Sequence, residues 1–397
     1  DLNFGLNGSE NFQSGKQYGF FPAVAVGWVP TQYEFMKRIK WIEFMKIRAS
    51  YGLVGNDQIG GDRRFIYNET VIGGGKYYFG TTPSQYTSVR LGEFPNPNVG
   101  WEKAKKLNLG ADLSFFNQLN ISVDYFKENR EGIFLQRKSI PMYVGLSTKP
   151  WVNIGKMRNS GIDASLEYHQ PLGKDLHLTV RGNFTYARNR IMDQDEPDYA
   201  YTYMNHSGQM QWQKFGLVAA GLFQDQEDID SWAKQSFGEV KPGDIKYLDL
   251  NGDGIVDNYD TKPIGYSDIP EIVYGFGFSL QWKAFDLSAF FQGVAHVSFS
   301  TLTDQTQAFV GRNLKESSVF ADLYGNTWTP ENPGAKYPRM TTGAVDNNNQ
   351  LSTFWMADGR YLRLKNLELG YTLPKRIANK IAMQNLRVYL SGVNLFT

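Results

Sequence analysis

The chain has 397 residues, of which 41% are hydrophobic and 15% aromatic, and its formal net charge is +1. It contains no cysteine, which excludes disulfides and thiol chemistry, and its near-neutral charge gives no sign of a nucleic-acid partner. No stretch reaches the roughly 18 apolar residues that a membrane helix needs. The longest apolar segment, 20–29, contains Pro22 and Gly27. Any membrane insertion would therefore have to use closed β-structure, in which every backbone group is hydrogen-bonded.

Strict alternation of apolar and polar residues predicts a series of β-strands. Alternating segments lie at 47–53, 107–115, 119–125, 162–168, 176–186, 276–282, 287–291 and 386–390. The pair 107–115 and 119–125 flanks the short turn at Asn117-Gln118, which predicts a hairpin. In 176–186 the apolar face includes Leu178 and Phe184, and the opposite face is polar. Strands with one apolar and one polar face are typical of an outer-membrane β-barrel, whose polar face lines the lumen.

The connections between these strands are alternately short and long. Turns such as 170–173 are short, whereas polar segments at 127–155, 189–270 and 294–355 are long and would be extracellular loops. We therefore predict an all-β, antiparallel, up-and-down transmembrane β-barrel spanning 1–397. A soluble two-sheet β-sandwich is the alternative, although it would not need this regular pattern of connections. Because the chain opens on what reads as the middle of a strand, we expect an incomplete barrel from a longer precursor.

An acidic segment within the second long loop has the spacing of a calcium-binding loop. Positions one, three, five, nine and twelve of this segment carry oxygen donors, position six is Gly254, and position seven would offer a backbone carbonyl. The predicted ligands are Asp249, Asn251, Asp253, the carbonyl of Ile255, Asp257 and Asp260. The flanking sequence is not helical, so this would be a structural Ca²⁺ site in a loop and not an EF-hand. The alternative is an Asx-rich turn without an ion.

Aromatic residues in the same long loop are the candidates for substrate contact. They are Tyr199, Tyr201, Tyr203 and Trp212. Aromatic faces suit the apolar faces of sugars as well as peptide side chains. The alternative is that these rings pack within the loop or belong to an interfacial girdle. No catalytic motif is present: the four histidines lack metal-ligand spacing, and no nucleophile elbow or phosphate-binding loop occurs. We therefore do not expect an enzyme.

Several segments together resemble the SusC/RagA family of TonB-dependent outer-membrane transporters of Bacteroidetes. They occur in the family's order along nearly the whole chain. The main ones are Lys46-Ile47-Arg48-Ala49-Ser50-Tyr51-Gly52, Asn96-Pro97-Asn98-Val99-Gly100-Trp101-Glu102-Lys103, Gly221-Leu222-Phe223-Gln224, Lys241-Pro242-Gly243-Asp244-Ile245, Tyr361-Leu362-Arg363-Leu364-Lys365-Asn366-Leu367 and Ser391-Gly392-Val393-Asn394-Leu395-Phe396.

The resemblance implies a large barrel in the bacterial outer membrane, surrounded by membrane lipid. It also implies a SusD-like surface lipoprotein as partner, TonB as the source of energy through an amino-terminal segment, and import of oligosaccharides or oligopeptides. Plug and TonB-contacting segments would lie upstream of Asp1, and closing strands would follow Thr397. The alternatives from other classes are a passive porin, a surface adhesin or carbohydrate-binding protein, and a secreted carbohydrate-active enzyme.

Overall fold

The computed structural model describes residues 1–61, 63–82, 84–146, 148–303, 319 and 321–397. Strands dominate it from end to end. The first nine are β1 (Leu2–Gly8), β2 (Tyr18–Trp28), β3 (Ile42–Asn56), β4 (Val71–Phe79), β5 (Ser84–Leu91), β6 (Glu102–Phe115), β7 (Leu119–Gln136), β8 (Trp151–Pro171) and β9 (Leu176–Asp193).

The later strands include many short ones. They are β10 (Lys214–Gly216), β11 (Ala219–Leu222), β12 (Lys234–Gln235), β13 (Ile245–Tyr247), β14 (Ile255–Val256), β15 (Lys262–Ile264), β16 (Ile272–Trp282), β17 (Phe285–Ala295), β18 (Ser298–Ser300), β19 (Met356–Asp358), β20 (Tyr361–Thr372) and β21 (Arg387–Phe396). The α-helices are α1 (Glu34–Lys37), α2 (Gln226–Ser231) and α3 (Lys375–Ala378), and short 3₁₀ helices lie at Pro30–Gln32, Met142–Val144, Thr202–Met204, Asn258–Asp260 and Asn379–Ile381. Among the described helices, none is long and apolar enough to cross a membrane.

Eleven strands form one large sheet, in the order β1-β2-β3-β6-β7-β8-β9-β16-β17-β20-β21. Neighbours in the sheet follow one another along the chain once the inserted strands β4–β5, β10–β15 and β18–β19 are set aside, which is an up-and-down arrangement. The predicted hairpin is β6–β7, in which Phe115 lies opposite Leu119. Within the described residues the sheet stays open, with β1 and β21 at its edges. The predicted all-β, incomplete barrel fold is confirmed, and one sheet of this size excludes the two-sheet sandwich.

Register places apolar side chains on one face of this sheet. A row across β3, β6, β7, β8 and β9 contains Ala49, Leu109, Tyr125, Ile162 and Tyr186. Because side chains alternate along a strand, every second residue of these strands shares this face. We call it the outward face. Its side chains remain exposed, Leu109 for example at 46%, as expected for a surface that meets lipid instead of packing into a core.

The opposite, inward face is polar. The adjacent row contains Arg48, Gly110, Asp124, Asp163 and Thr185. A one-residue slip would exchange the two faces completely, so the alternation in the sequence excludes any slip by an odd number of residues. The sequence prediction of an apolar face and a wet face therefore holds for these five strands.

The predicted loop 127–155 is shorter than expected. β7 continues to Gln136 and β8 already begins at Trp151, so the connection is 137–150. Charged residues on both faces hide the alternation in this part of the chain. They are nevertheless paired across strands: Lys105 on β6 forms an ion pair with Glu131 on β7, with 2.9 Å between Nζ and Oε2. The other two long segments also lose a few residues to strands, since β9 reaches Asp193 and β17 reaches Ala295.

The two remaining long segments fold together into a compact unit. Residues 199–272 and 294–361 form this second unit, and residues 1–198, 273–293 and 362–397 form the first, which contains the large sheet. Part of the predicted loop 294–355, namely 304–318 and 320, lies outside the described residues. The second unit has a hydrophobic core of its own, formed by Leu217, Leu222, Ile245, Tyr247, Val256, Trp328 and Trp355. These segments are therefore not simple surface loops, because their apolar residues bury one another.

Candidate functional site

Asp244 joins the two chain segments of the second unit. Its side chain is fully buried and pairs with Arg339, with 2.9 Å between Oδ1 and Nε. The same carboxylate accepts hydrogen bonds from the Asn348 side chain at 2.8 Å and from the Lys241 backbone N–H at 2.8 Å. A buried charge of this kind is tolerated only when it is paired and hydrogen-bonded. Asp244 therefore fixes the segment around 244 to the segment around 339–348.

Gly243 allows this approach. Its φ of +88° lies in the left-handed region, and a Cβ atom there would lie 2.4 Å from the Trp328 ring. A side chain at 243 would thus be strained and would collide with the core. The sequence Pro242-Gly243-Asp244 consequently places the buried carboxylate against its partners.

Three of the predicted aromatic residues lie in two small ring clusters. The rings of Tyr201 and Tyr203 stack with centroids 5.4 Å apart, and Tyr259 meets Tyr201 edge-on. The Tyr203 hydroxyl donates a hydrogen bond to the Tyr259 carbonyl at 2.7 Å. Tyr199 contacts His206, whose ring stacks on Phe215. Packing within the segment therefore occupies a good part of these tyrosine rings.

The first of these clusters lies beside the acidic segment. Burial raises the pKa of Tyr203, and the carboxylates of Asp260, Asp249 and Asp253 raise it further. Two groups that the sequence singled out separately, the tyrosines and the predicted calcium ligands, are therefore neighbours. The link between them is Tyr259, which belongs to the acidic segment and touches both tyrosines. Residue spacing alone gave no signal of this contact.

Trp212 differs from the tyrosines. It is 62% exposed and has a φ of +65°, in a region that bulky residues rarely adopt. The turn that presents it is closed by a hydrogen bond from the Gln213 N–H to the Met210 carbonyl, and the Gln213 amide donates to the Ile264 carbonyl at 3.0 Å. An indole held out in a strained backbone conformation marks this position as a candidate contact for a ligand.

The acidic segment forms one tight loop, and its side chains serve mainly as acceptors for its own backbone. The two Asp249 oxygens accept from the N–H groups of Gly252 and Gly254 at 2.6 and 2.7 Å. Asn251 and Asp253 each accept from the N–H two residues later, at 3.0 and 2.8 Å. Gly254, at position six, has a φ of +85°, as the sharp turn of a calcium loop requires.

The carboxyl-terminal half of the loop ends in a capping box. Asp257 accepts from the Tyr259 N–H at 2.7 Å, and buried Asp260 accepts from the Asp257 N–H at 2.8 Å and the Leu250 N–H at 2.7 Å. Among the described residues, no three His, Cys, Asp or Glu side chains are placed so that they could hold a metal. The donor types and the glycine fit Ca²⁺, whereas the side-chain directions are those of a hydrogen-bonded turn.

The inward face of the sheet carries a charged cluster that residue motifs did not reveal. Arg48 on β3 lies 3.0 Å from Asp112 and 2.9 Å from Asp124, and the Ser122 hydroxyl donates to Asp112 at 2.8 Å. An open depression of about 520 Å³ lies next to it, and Asp112, Ser122 and Arg181 are among the residues that line it. Only the pairing register brings these residues together, so a scan for motifs along one strand could not find them.

Comparison with known proteins agrees with this architecture. A model of the TonB-dependent receptor-like β-barrel family matches residues 1–231. TonB-dependent receptor P3 of Formosa agariphila is 31% identical over 404 residues, which cover 98% of this chain and 38% of that protein. TonB-dependent receptor SusC of Bacteroides thetaiotaomicron is 25% identical over 386 residues, covering 92% and 35%. The solved RagAB peptide transporter superposes with a TM-score of 0.74 at 22% identity, over the whole of this chain and 42% of that chain.

The fold, with its apolar outward face and polar inward face, is that of an outer-membrane transport barrel. The chain belongs to the TonB-dependent receptor β-barrel family, and its location is the bacterial outer membrane. This confirms the resemblance noted in the sequence. The family consists of transporters and not of enzymes. The chain spans well under half of the length of the curated relatives it matches.

Proposed function

We propose that this protein imports nutrient oligomers across the outer membrane with energy from TonB. The observation on which the proposal rests is the two-faced sheet in a chain of the TonB-dependent receptor family. A polar inward face with paired charges such as Arg48 and Asp124 suits the wall of a hydrated passage. The TonB-contacting segment would belong to parts of the protein outside this chain.

Oligosaccharides or oligopeptides are the proposed substrates, and a SusD-like surface lipoprotein is the proposed partner. The similarity to SusC and the fold shared with a transporter described as a peptide importer support this assignment. Tyr199, Tyr201, Tyr203 and Trp212 are the proposed substrate contacts. Of these, Trp212 is the strongest candidate because its ring is the most exposed, whereas the tyrosines also pack against neighbouring rings.

Calcium binding by the loop 249–260 is part of the same proposal. The ion would be held by Asp249, Asn251, Asp253, Asp257, Asp260 and the Ile255 carbonyl. Its support is the donor spacing together with the positive φ of Gly254. The ion would stiffen the second unit and take no part in transport chemistry.

Uptake of labelled oligomers by cells that express the full-length protein tests the proposed function. We expect uptake to fall to background when TonB is deleted, and to fall strongly when the SusD-like lipoprotein is deleted. Cells that express an unrelated porin serve as the control, since their uptake should not change on either deletion. Unchanged uptake without TonB would identify a passive porin, and binding without any uptake would identify an adhesin.

A further inference from the structure

Two aromatic rings lie stacked on the surface of the second unit. The rings of Tyr266 and His296 are parallel to within 4°, their centroids are 4.6 Å apart, and both residues are exposed. The residues that follow them in the chain, Ser267 and Val297, are buried. The stack therefore stands on a packed foundation and keeps ring surface open to solvent.

Hydrogen bonds hold both members of the stack. Nδ1 of His296 lies 3.1 Å from a carboxylate oxygen of buried Glu271. Because an ionised carboxylate can only accept, the imidazole N–H donates and the ring orientation is fixed. The Tyr266 N–H donates to the Ser298 hydroxyl at 3.1 Å. Rings that are already ordered lose little conformational entropy when a ligand binds.

The strained backbone positions of the second unit gather at this place. Among the described non-glycine residues of the unit, only Trp212 and His296 have a positive φ, at +65° and +53°. β10 and β15 pair in antiparallel, so Trp212 and Tyr266 each lie two residues beyond the same end of this pair. The Gln213 amide closes that end by donating to the Gly265 carbonyl at 3.2 Å. Strained residues that present exposed side chains are typical of ligand-binding sites.

The charged side chains that flank the stack are paired with one another. Lys214 lies 3.6 Å from Asp268, and Arg360 lies 2.9 Å from Asp358, which is opposite Ser298 in the β18–β19 pair. Each cation of this described group therefore has a carboxylate beside it. A ligand that depends on its own charge would gain little here, whereas a neutral ligand loses nothing.

The backbone beside the stack is paired as well. On one side of segment 296–298, the Ser298 N–H donates to the Ser267 carbonyl at 3.2 Å. On the other side, the Gly359 N–H donates to the Val297 carbonyl at 2.9 Å. A peptide that binds as an added strand needs a free edge. Ring faces and side-chain hydrogen bonds are therefore the means of recognition that this site offers.

We propose that Tyr266 and His296, together with Trp212, form a contact site for a neutral saccharide unit of the imported oligomer. The apolar C–H face of a sugar ring packs against an aromatic ring. Sugar hydroxyls can bond Nε2 of His296, which has no partner among the described residues. The inference rests on the proposed import function and selects oligosaccharides over oligopeptides.

Retention of the full-length protein, in detergent, on immobilised oligomers tests the proposal. The probes are an array of neutral oligosaccharides with several sugars and linkages, and an array of short peptides. We expect retention on one or more oligosaccharides and none on the peptides. Titration calorimetry with the best-retained oligosaccharide then compares variants. Tyr266→Ala should weaken binding roughly three- to tenfold because an aromatic face is lost, whereas Tyr266→Phe keeps the ring and should bind like the unmodified protein.

His296→Asn tests the second ring without adding backbone strain. Asparagine tolerates a positive φ, so this variant should fold and yet weaken binding by a similar factor. The matched control is Tyr324→Ala, which removes a ring that is 84% exposed elsewhere in the same unit and should leave affinity unchanged.

The outcomes separate this inference from the proposed transport function. Absence of any retained oligosaccharide would overturn the inference, and retention of peptides would then leave the import of oligomers standing. Unchanged affinity in both Tyr266→Ala and His296→Asn, or an equal loss in Tyr324→Ala, would overturn it as well. If the variants behave as expected while uptake is independent of TonB, the saccharide site stands and the transport proposal fails.

Discussion

The large sheet and the second unit use the same kinds of residue in opposite ways. In the sheet, large apolar side chains such as Phe184 and Leu109 stay exposed on the outward face. In the second unit, Leu217 and Tyr247 are buried in a core. Large apolar side chains are stable on an exposed face only if lipid surrounds that face, whereas in water they are stable when they are buried in a core. The two units are thus built for different solvents within one chain.

The two units also differ in the contacts that hold them. The sheet is built from neighbouring strands with long, continuous registers, as between β7 and β8. The second unit depends on a few polar contacts between distant residues, such as the Ile245 N–H with the Asn348 side chain at 2.8 Å. Loss of one cross-strand contact leaves many others in the sheet. Loss of one buried polar contact in the second unit leaves unpaired groups in a core.

The largest effect is expected from Asp244→Ala in the second unit. Removal of this buried carboxylate leaves Arg339 and Asn348 without their partner, which should cost about 3–5 kcal/mol of stability. Hydrogen exchange of the full-length protein should show faster exchange over 214–248, with the strands of the sheet unchanged. The control is Asp322→Ala, which removes an exposed carboxylate paired with exposed Lys336 and should leave exchange unaltered. If the Asp244→Ala variant shows unchanged protection from hydrogen exchange over 214–248, the role assigned to Asp244 is contradicted.

The second-largest effect is expected from a charge introduced on the outward face of the sheet. Ala164 and Ser165 are neighbours on β8 that point to opposite faces, since they lie opposite Phe184 and Asn183. Ala164→Arg places a cation in the lipid-facing band and should cost about 2–4 kcal/mol. Ser165→Arg, on the inward face, should have a much smaller effect. Folding yield in lipid vesicles as a function of urea measures both variants, and equal losses would contradict the assignment of the faces.

Most of the sheet could be predicted from the sequence. Alternation in 107–115 and 119–125 gave the β6–β7 hairpin and its faces because lipid and lumen impose a period of two. The prediction failed at 127–136, where Lys127 and Glu131 are charged and outward-facing, so the strand no longer looks half apolar. The strand continues beyond the lipid-facing band, where its residues are charged. A prediction based on hydrophobicity alone ends the strand at the edge of that band.

The second unit could be predicted only in part. The helix α2 carries a local sequence signal, because Glu227 and Asp228 lie in its first turn and Asp225 caps it by accepting from the Asp228 N–H at 2.8 Å. The contacts of Asp244 with residues about a hundred positions later could not be predicted, because no local period encodes them. The same reason explains why the proximity of Tyr203 to the acidic loop was missed.

Calcium should stabilise the second unit and leave the sheet unchanged. At a calcium concentration 100 times the dissociation constant, binding adds about 2.7 kcal/mol to the stability of the state that binds it. Chelation should therefore speed proteolysis between 199 and 272. Asp253→Ala should abolish this dependence, whereas Asp230→Ala in α2 should keep it. If proteolysis is identical with calcium and with chelator, and metal analysis after dialysis finds no bound ion, the loop is a hydrogen-bonded turn without calcium.

The smallest effect concerns Trp212. If its exposed ring contacts the imported oligomer, Trp212→Ala should weaken binding by about 0.5–1.5 kcal/mol, which is roughly two- to tenfold in affinity. Trp212→Gly should weaken binding similarly and yet stabilise the second unit by about 1 kcal/mol, because glycine accepts the positive φ at this position. Titration of the full-length protein with an oligomer that it imports measures affinity, and chemical unfolding measures stability. The control is Tyr143→Ala, which removes an aromatic ring that is 89% exposed in the connection 137–150 of the first unit and should leave affinity unchanged. A stabilised glycine variant with full affinity would show that the strain at Trp212 does not serve binding.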